Sequence, residues 1–462
     1  MGRRNRFFNT KRKRIQRFTE KIFECFSVQL FLLCLSMLNI NAQTITKDTL
    51  LKDSVSFKMD SLSIVKDSII LPKDGLSMKY KFLRLDLNKI ENDSTSLAFF
   101  YAKLSNQKKN HNKKISIVHI GDSHLQADFF SGEVRKLLQG EFGNAGRGLM
   151  FPFRLANTNG TNNFRSSTNV KWDSKRNVMV NNPMPIGVCG ITIRTKDPKA
   201  AINLNIYDSD SMCYAFNKLT LFHDQSAFEY DYFVCDSSGF VVGYINSCMK
   251  KGPAFVSEVQ LDTMLHSCTI NAYRRDSSQN KAEIYGILLE NGDGGILYNT
   301  IGVNGAQFSD YNASVYFQDQ MVALQPDLII ISLGTNDAYN APFKKDEFLY
   351  NVETLITSIK SRNPNAAILL TTPADSYRRY RYKNPDMQTA SEVLKDYCKK
   401  TNLAYWDFHS IMGGLNSVPN WYKAGLSQAD RVHFTRAGYE LQAKLFHDAI
   451  EKGLKNYESN HP

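Results

Sequence analysis

The 462-residue sequence predicts an α/β domain with a parallel sheet covered by helices on both faces, interrupted once by an all-β sandwich or jelly roll. Two observations carry this. Short apolar runs alternate with helix-length segments at 115–140 and again from 295 to the C-terminus, the pattern of strand–helix units. Between them, at about 147–292, short alternating runs such as "AINLNIYDS", "KLTLFHDQ" and "AFVSEVQLD" are separated by polar turns and show no helical periodicity.

The elements follow in order. Residues 1–26 hold nine Lys/Arg and two acids, +7 of the formal +12, so the rest of the chain is only mildly basic and carries no dominant cationic stripe. Nucleic-acid binding is not expected. The next stretch, "SVQLFLLCLSMLNINAQ", is too short and interrupted for a comfortable membrane span. With the basic block before it and Ala42 after it, 1–42 reads as a secretory signal cleaved after Ala42, with an uncleaved inner-membrane anchor as the alternative. Cys34 lacks the small residues that precede a lipoprotein acceptor. The expected location is exported, periplasmic or secreted, with membrane contact only through this segment. Residues 43–78 repeat Asp-, Ser- and Lys-rich units and read as a polar tether.

The first part of the α/β domain spans 79–146. Apolar positions at helical spacing (Leu87, Ile90, Leu97, Phe100, Leu104) predict a helix over 84–106, followed by a strand at 115–120 and a helix at 125–140. The second part, 293–456, predicts strands at 295–303, 326–334, 366–373 and 403–408, and helices at 307–324, 344–361, 385–401 and 435–454. The insert is placed at 147–292, entered through "NAGRGLMFPF". Of eight cysteines, Cys189, Cys213, Cys235, Cys248 and Cys268 cluster in the insert, where one or two disulfides are compatible with export. No CxxC pair suggests a metal or redox site.

The strand "ISIVHI" stops on Gly-Asp-Ser-His. In an open α/β sheet, ligands bind at the carboxyl ends of the strands. A serine there, at a helix start, has its hydroxyl exposed and its N–H and the helix dipole available to a developing oxyanion. It needs a base. "ADRVHFTRAGY" supplies His433, with Asp430 three residues earlier to hold the imidazole in the proton-accepting tautomer. "IGVNGAQF" and "LGTND", at two more strand ends, offer the Gly305 N–H and the Asn336 amide as further oxyanion donors.

These four blocks resemble those of SGNH (GDSL-type) hydrolases: Ser123 in "GDSH", Gly305 in "VNGA", Asn336 in "GTND" and His433 in "DRVH". The resemblance covers roughly 115–146 and 294–455. It implies a flavodoxin-like sheet, Ser123 as nucleophile, His433 as base oriented by Asp430, and an oxyanion hole from Ser123 N–H, Gly305 N–H and Asn336, with no metal or cofactor. His124 stands where the family name records Leu. "HIGDSHLQADFF", the inserted β-domain and "DRVHFTRAGY" together are similar to periplasmic peptidoglycan O-acetylesterases, whose fold is interrupted by a carbohydrate-binding-module-like domain.

The expected activity is carboxylic ester hydrolysis, removal of O-acyl groups, chiefly O-acetyl, from an acylated cell-envelope polysaccharide such as peptidoglycan. Alternatives are a lipase or thioesterase, a plant-glycan acetylesterase, an acyl transferase, and a non-catalytic glycan-binding protein. Oligomeric state is left open. Asp122, His124, Asp337 and Arg378 are supporting or substrate-side candidates. Asp337 is expected to fix its own loop, and His124 to cap the turn. Arg378 lies in "DSYRRYRYKN" (375–384), a solvated basic loop or a sugar-stacking wall. His119 is read as a packed core histidine, Asp128 as a local partner in its helix's first turn. The aromatics Trp172, Tyr207, Tyr214, Phe222, Tyr230 and Tyr232 read mainly as sandwich core.

Overall fold

In the computed structural model, residues 78–209, 211–249, 254–340 and 342–461 are described. The signal segment and all but the last residue of the tether lie outside them. Five parallel strands make the central sheet. Their spatial order is Gly295–Gly302, Lys114–Gly121, Leu328–Ser332, Ala367–Thr371, Ala404–Trp406. This is the 2-1-3-4-5 order of doubly wound sheets, with the Ser123 strand at the point where the order reverses. A two-residue strand, Ile90–Glu91, closes the far edge antiparallel to Ala404–Trp406.

Side-chain alternation along the strands feeds two cores. Ile115, Ile117, Leu328 and Ile330 meet Phe100, Leu138 and Leu445 of helices Ala98–Asn110, Phe129–Phe142 and Arg436–Asn460. Val118, Ile120, Ile329 and Ile331 share a core with Leu355 of Lys345–Arg362 and Leu394 of Pro385–Thr401. That second core runs on without a break into the insert through Leu149, Leu221 and Ile287. Residues 70–462 accordingly group as one unit.

The insert is two antiparallel sheets. One has the order Val241–Ile245, Asp231–Cys235, Ser267–Tyr273, Ala201–Ile206, Phe164–Thr168; the other Val256–Leu265, Phe216–His223, Ala282–Glu290, Ile191–Thr195, Asp173–Arg176. Outer strands alternate: Ser257, Val259 and Leu261 are buried while Glu258, Gln260 and Asp262 are exposed. Ala282–Glu290 is buried at every position. It also pairs with Gly148–Met150, so it forms the seam through which the chain leaves and re-enters the α/β layer.

Several predicted helices are broken, each for a local reason. The 84–106 segment becomes a short 3-10 turn, the edge strand, Asp93–Ser96 and Ala98–Asn110, with Asn92 left-handed at φ 58°. The 125–140 segment splits into Ser123–Gln126 and Phe129–Phe142 at Asp128, φ 60°. The 307–324 segment becomes Phe308–Asn312, Phe317–Met321 and a 3-10 turn, because insert residues 186–188 take the Tyr316 N–H and the Gln320 side chain as partners. The last helix runs on to Asn460. All six described cysteines are free, so the disulfides thought compatible with export do not form among them; Cys189, Cys268 and Cys398 are individually buried in apolar core. No helix among the described residues is long and apolar enough to cross a membrane.

Candidate active site

Ser123 is the first residue of the short helix Ser123–Gln126, so its N–H has no intrahelical acceptor. Its Oγ lies 3.0 Å from His433 Nε2. His433 Nδ1 lies 2.7 Å from Asp430 Oδ2. A carboxylate only accepts, so Nδ1 carries the proton and Nε2 is free to accept from Ser123. Asp430 Oδ1 also accepts from the N–H groups of Val432 (2.9 Å) and His433 (3.0 Å). The loop is fixed by Gln428 N–H on His433 O (2.8 Å), and Thr435 caps the helix that follows. The hydrogen bond His433 donates to Asp430 raises the His433 pKa above its ordinary value against a smaller effect of burial. Burial pushes the Asp430 carboxyl up, but the bonds from His433 and the two N–H groups outweigh it and the net direction is down. Both shifts favour an imidazolium–carboxylate pair.

Asp122, 2% exposed, joins three parts of the site. Its Oδ1 accepts from His124 N (3.2 Å) and His124 Nδ1 (2.6 Å); its Oδ2 accepts from Asn336 Nδ2 (3.1 Å). Asp122 is therefore the cap of the turn, and His124, expected in that role, is held by it and borders the cavity beside Ser123. Asn336 gives its second amide hydrogen to Ala306 O (3.0 Å). The carboxamide thus ties the Gly305 loop to Asp122, and it must exchange one of these bonds to serve an oxyanion. Gly305 has φ +85°, a region closed to most side chains, and the space where a Cβ would stand is open.

Asp337 bonds its own backbone N–H and also reaches the neighbouring loop. It accepts from Phe308 N (3.3 Å) on the neighbouring loop, and burial pushes its carboxyl up to about 7. Arg378 bonds to Tyr339 O (3.0 Å), Ala338 O (2.7 Å) and Asp386 (2.5 Å), which fixes the segment after Asn336 and leaves little of its charge for a substrate. Its hairpin, Tyr377–Arg378 with Tyr382–Lys383, is tied to the triad loop by Tyr377 N on Arg431 O (3.0 Å), and Tyr380 and Tyr382 stand exposed. His119 is buried between Tyr298 and Ser332 at 2.7 Å each. Asp128 reaches beyond its own helical turn: it pairs with Arg135 and with Arg147 at the mouth of the insert. Of the six insert aromatics singled out from the sequence, only Tyr207 is exposed. An aromatic cluster at the surface is instead formed by exposed Tyr244 and Tyr273 on either side of half-buried Phe233, with ring centroids 5.1 and 4.9 Å from it.

Sequence reasoning missed Gln126, a buried side chain that accepts from the N–H of Asn304, next to Gly305 (2.7 Å). Nothing in "SHLQ" marks it, since its partners lie 178 and 33 residues away. The cavity bordered by Ser123, His124, Leu333, Pro373 and His433 measures about 40 Å³. A larger opening of about 340 Å³, near Lys136, Asn163, Asp208 and Arg436, includes no member of the Ser–His–Asp chain. Among the described residues, two groups have a metal-ligand composition, Asp208/Cys213/His266 and Glu141/His447/Glu451, and neither includes a residue of the Ser123 site.

The model of the GDSL-like lipase/acylhydrolase family matches residues 269–441, which include Gly305, Asn336, Asp430 and His433; "GDSH" lies before it, across the insert. The chain carries a GDSL-type (SGNH) hydrolase domain. A solved structure of a peptidoglycan O-acetylesterase is similar with a TM-score of 0.66 at 24% identity, over 79% of this chain and 99% of that one, a likeness of fold that spans hydrolase and insert together. A multidomain esterase of Ruminococcus flavefaciens is 27% identical over 168 residues, 34% of this chain and 20% of that protein, so the match spans about a fifth of the relative's length. A catalytic mutant of an acetylxylan esterase from Geobacillus stearothermophilus is 26% identical over 34% of this chain and 73% of that one, with a TM-score of 0.28.

Proposed function

We propose that the protein is an exported serine esterase that removes O-acetyl groups from a cell-envelope polysaccharide, with peptidoglycan as the first candidate. The observation that carries the reading is the unbroken Ser123–His433–Asp430 chain of 3.0 and 2.7 Å contacts, set at the end of the strand where the sheet order reverses, beside an open Gly305. Ser123 Oγ attacks the ester carbonyl as its proton passes to His433 Nε2, and Asp430 stabilises the imidazolium. The tetrahedral oxyanion accepts from the N–H groups of Ser123 and Gly305, joined by Asn336 when it gives up one present bond. His433 then protonates the departing sugar oxygen, leaving acetyl-Ser123. A water, deprotonated by His433, attacks the acetyl carbonyl, and acetate leaves as Ser123 recovers its proton. The route uses no cofactor.

A short acyl group is favoured by size. The cavity at Ser123 has about 40 Å³, room for two or three waters at roughly 15 Å³ each, enough for a methyl and far too little for a fatty chain. That argues against the lipase reading. The exposed tyrosines of the 377–383 hairpin suit the faces of a sugar polymer. Peptidoglycan rather than xylan is supported by the likeness in fold to the peptidoglycan O-acetylesterase, which extends through the insert.

The test is acetate release by the full chain and its Ser123→Ala variant, from O-acetylated peptidoglycan and acetylated xylan side by side. Serine-dependent release from peptidoglycan is expected. Release from xylan alone moves the protein to nutrient-glycan processing, and release from neither overturns the esterase reading for these polymers. Serine-independent binding to peptidoglycan through the Phe233–Tyr244–Tyr273 cluster would then favour a glycan-binding role.

A further inference from the structure

The loop that carries Gly305 is restrained from an unexpected direction. Gln126 is 1% exposed and lies three residues after Ser123. Its Oε1 accepts the Asn304 N–H at 2.7 Å. This contact orients the carboxamide, so Nε2 faces the other way, toward the insert. There it donates to Asn159 O (2.6 Å), Thr158 Oγ1 (2.9 Å) and Asn159 Oδ1 (3.1 Å). Asn304 closes the ring by donating its own Nδ2 to Asn159 Oδ1 at 2.6 Å. The backbones are pressed together as well: a Cβ on Gly302 would stand 2.4 Å from Gln126 N, so the strand entering this loop can run so close only as glycine.

We infer that Gln126 and the insert's Asn159 are positioning residues for the oxyanion hole. They fix Asn304, and through it set where the next N–H, that of Gly305, points. The inference rests on the esterase reading proposed above. Gly305 itself is exposed and conformationally free, so its direction must come from its neighbours. One neighbour is held by the Gln126–Asn159 pair, and the other, Ala306, by Asn336. The insert is then part of the catalytic machinery and not only a means of gripping a polymer. Donors that stabilise an oxyanion act through preorganisation, so a loosened Gly305 loop lowers kcat without changing how the substrate is bound.

Asn159 is exposed, so Asn159→Ala can be made without opening the core, and Asn159→Asp keeps the accepting oxygen. Two readouts on the full chain are needed: amide hydrogen exchange across 302–308, and kcat and KM on p-nitrophenyl acetate, which has no sugar to touch the insert. The expected result for Asn159→Ala is faster exchange in 302–308 and kcat lowered roughly tenfold at unchanged KM, with both restored toward wild type in Asn159→Asp. Unchanged exchange overturns the inference whatever the activity. Faster exchange with unchanged kcat, in a protein whose ester hydrolysis depends on Ser123, also overturns it. If exchange rises but the wild type cleaves no ester, the Gln126–Asn159 restraint stands and the esterase reading falls.

Discussion

On the His433 side of the site, the groups that bond the base and its carboxylate come from residues 427–438: Asp430, the N–H groups of Val432 and His433, Gln428 and the Thr435 cap, with Tyr377 N–H on Arg431 O tying that loop to the hairpin beside it. On the Gly305 side, the restraints come from Gln126, Asn159, Asp122 and Asn336, which are scattered over more than 200 residues. The base is held by a local loop and the oxyanion loop by long-range packing. Damage to the first should therefore be sharp and confined. Damage to the second should be graded and reachable from many positions.

The largest effect tests the local side. Ser123→Ala should lower kcat by roughly 10⁴-fold or more with Tm unchanged within a few degrees, measured by acetate release and calorimetry. Asp430→Asn should cost roughly 10²–10⁴-fold and move the pH profile. In the wild type, kcat/KM should rise with pH as His433 loses its proton, with a midpoint above the ordinary 6.5 because Asp430 favours the charged imidazole. Without that carboxylate the midpoint should fall, and an unmoved profile would break the assignment of Asp430 as the orienting group. On the long-range side, Asn336→Ala should cost about 10²-fold, combining a lost donor with a freed Ala306. Tyr380→Ala with Tyr382→Ala should raise KM for polymer roughly 2- to 10-fold and leave p-nitrophenyl acetate unaffected.

The smallest effect concerns Asp337. Its folded pKa is raised to about 7 by burial, so between about 4 and 7 the folded state binds more protons than the unfolded one. Stability should therefore fall as pH rises through that window. Asp337→Asn keeps an acceptor for the Phe308 N–H and should flatten the Tm–pH curve there.

The same contrast explains what was legible in the sequence. The strand–helix alternation and the four blocks could be read because three strands end in their own short signatures, and Asp430 and His433 are three residues apart. Alternation exposed the insert as a sandwich. Gln126 and Asn159 could not be read, since a glutamine in an apolar helix turn looks the same whether or not a glycine loop and a foreign domain converge on it. Helix breaks at Asn92 and Asp128 were hidden for a related reason: a left-handed residue interrupts a helix without disturbing its apolar spacing. For Arg378 the sequence left support and substrate contact open, because charge in a loop gives no hint that backbone carbonyls consume it.

The position of the seam strand also sets a timetable. The strand Lys114–Gly121 leaves the ribosome long before either of its neighbours, Gly295–Gly302 and Leu328–Ser332, which emerge after the whole insert. At 5–20 residues per second, roughly 170 intervening residues mean a wait of roughly 9–35 s. Throughout it, an apolar strand with both edges unpaired is exposed to aggregation. The sandwich, with its neighbouring hairpins, can form earlier, and its strand Ala282–Glu290 then captures Gly148–Met150 before the parallel sheet closes. An insertion placed between nucleophile and base thus lengthens the time for which the nascent chain carries an unpaired apolar strand.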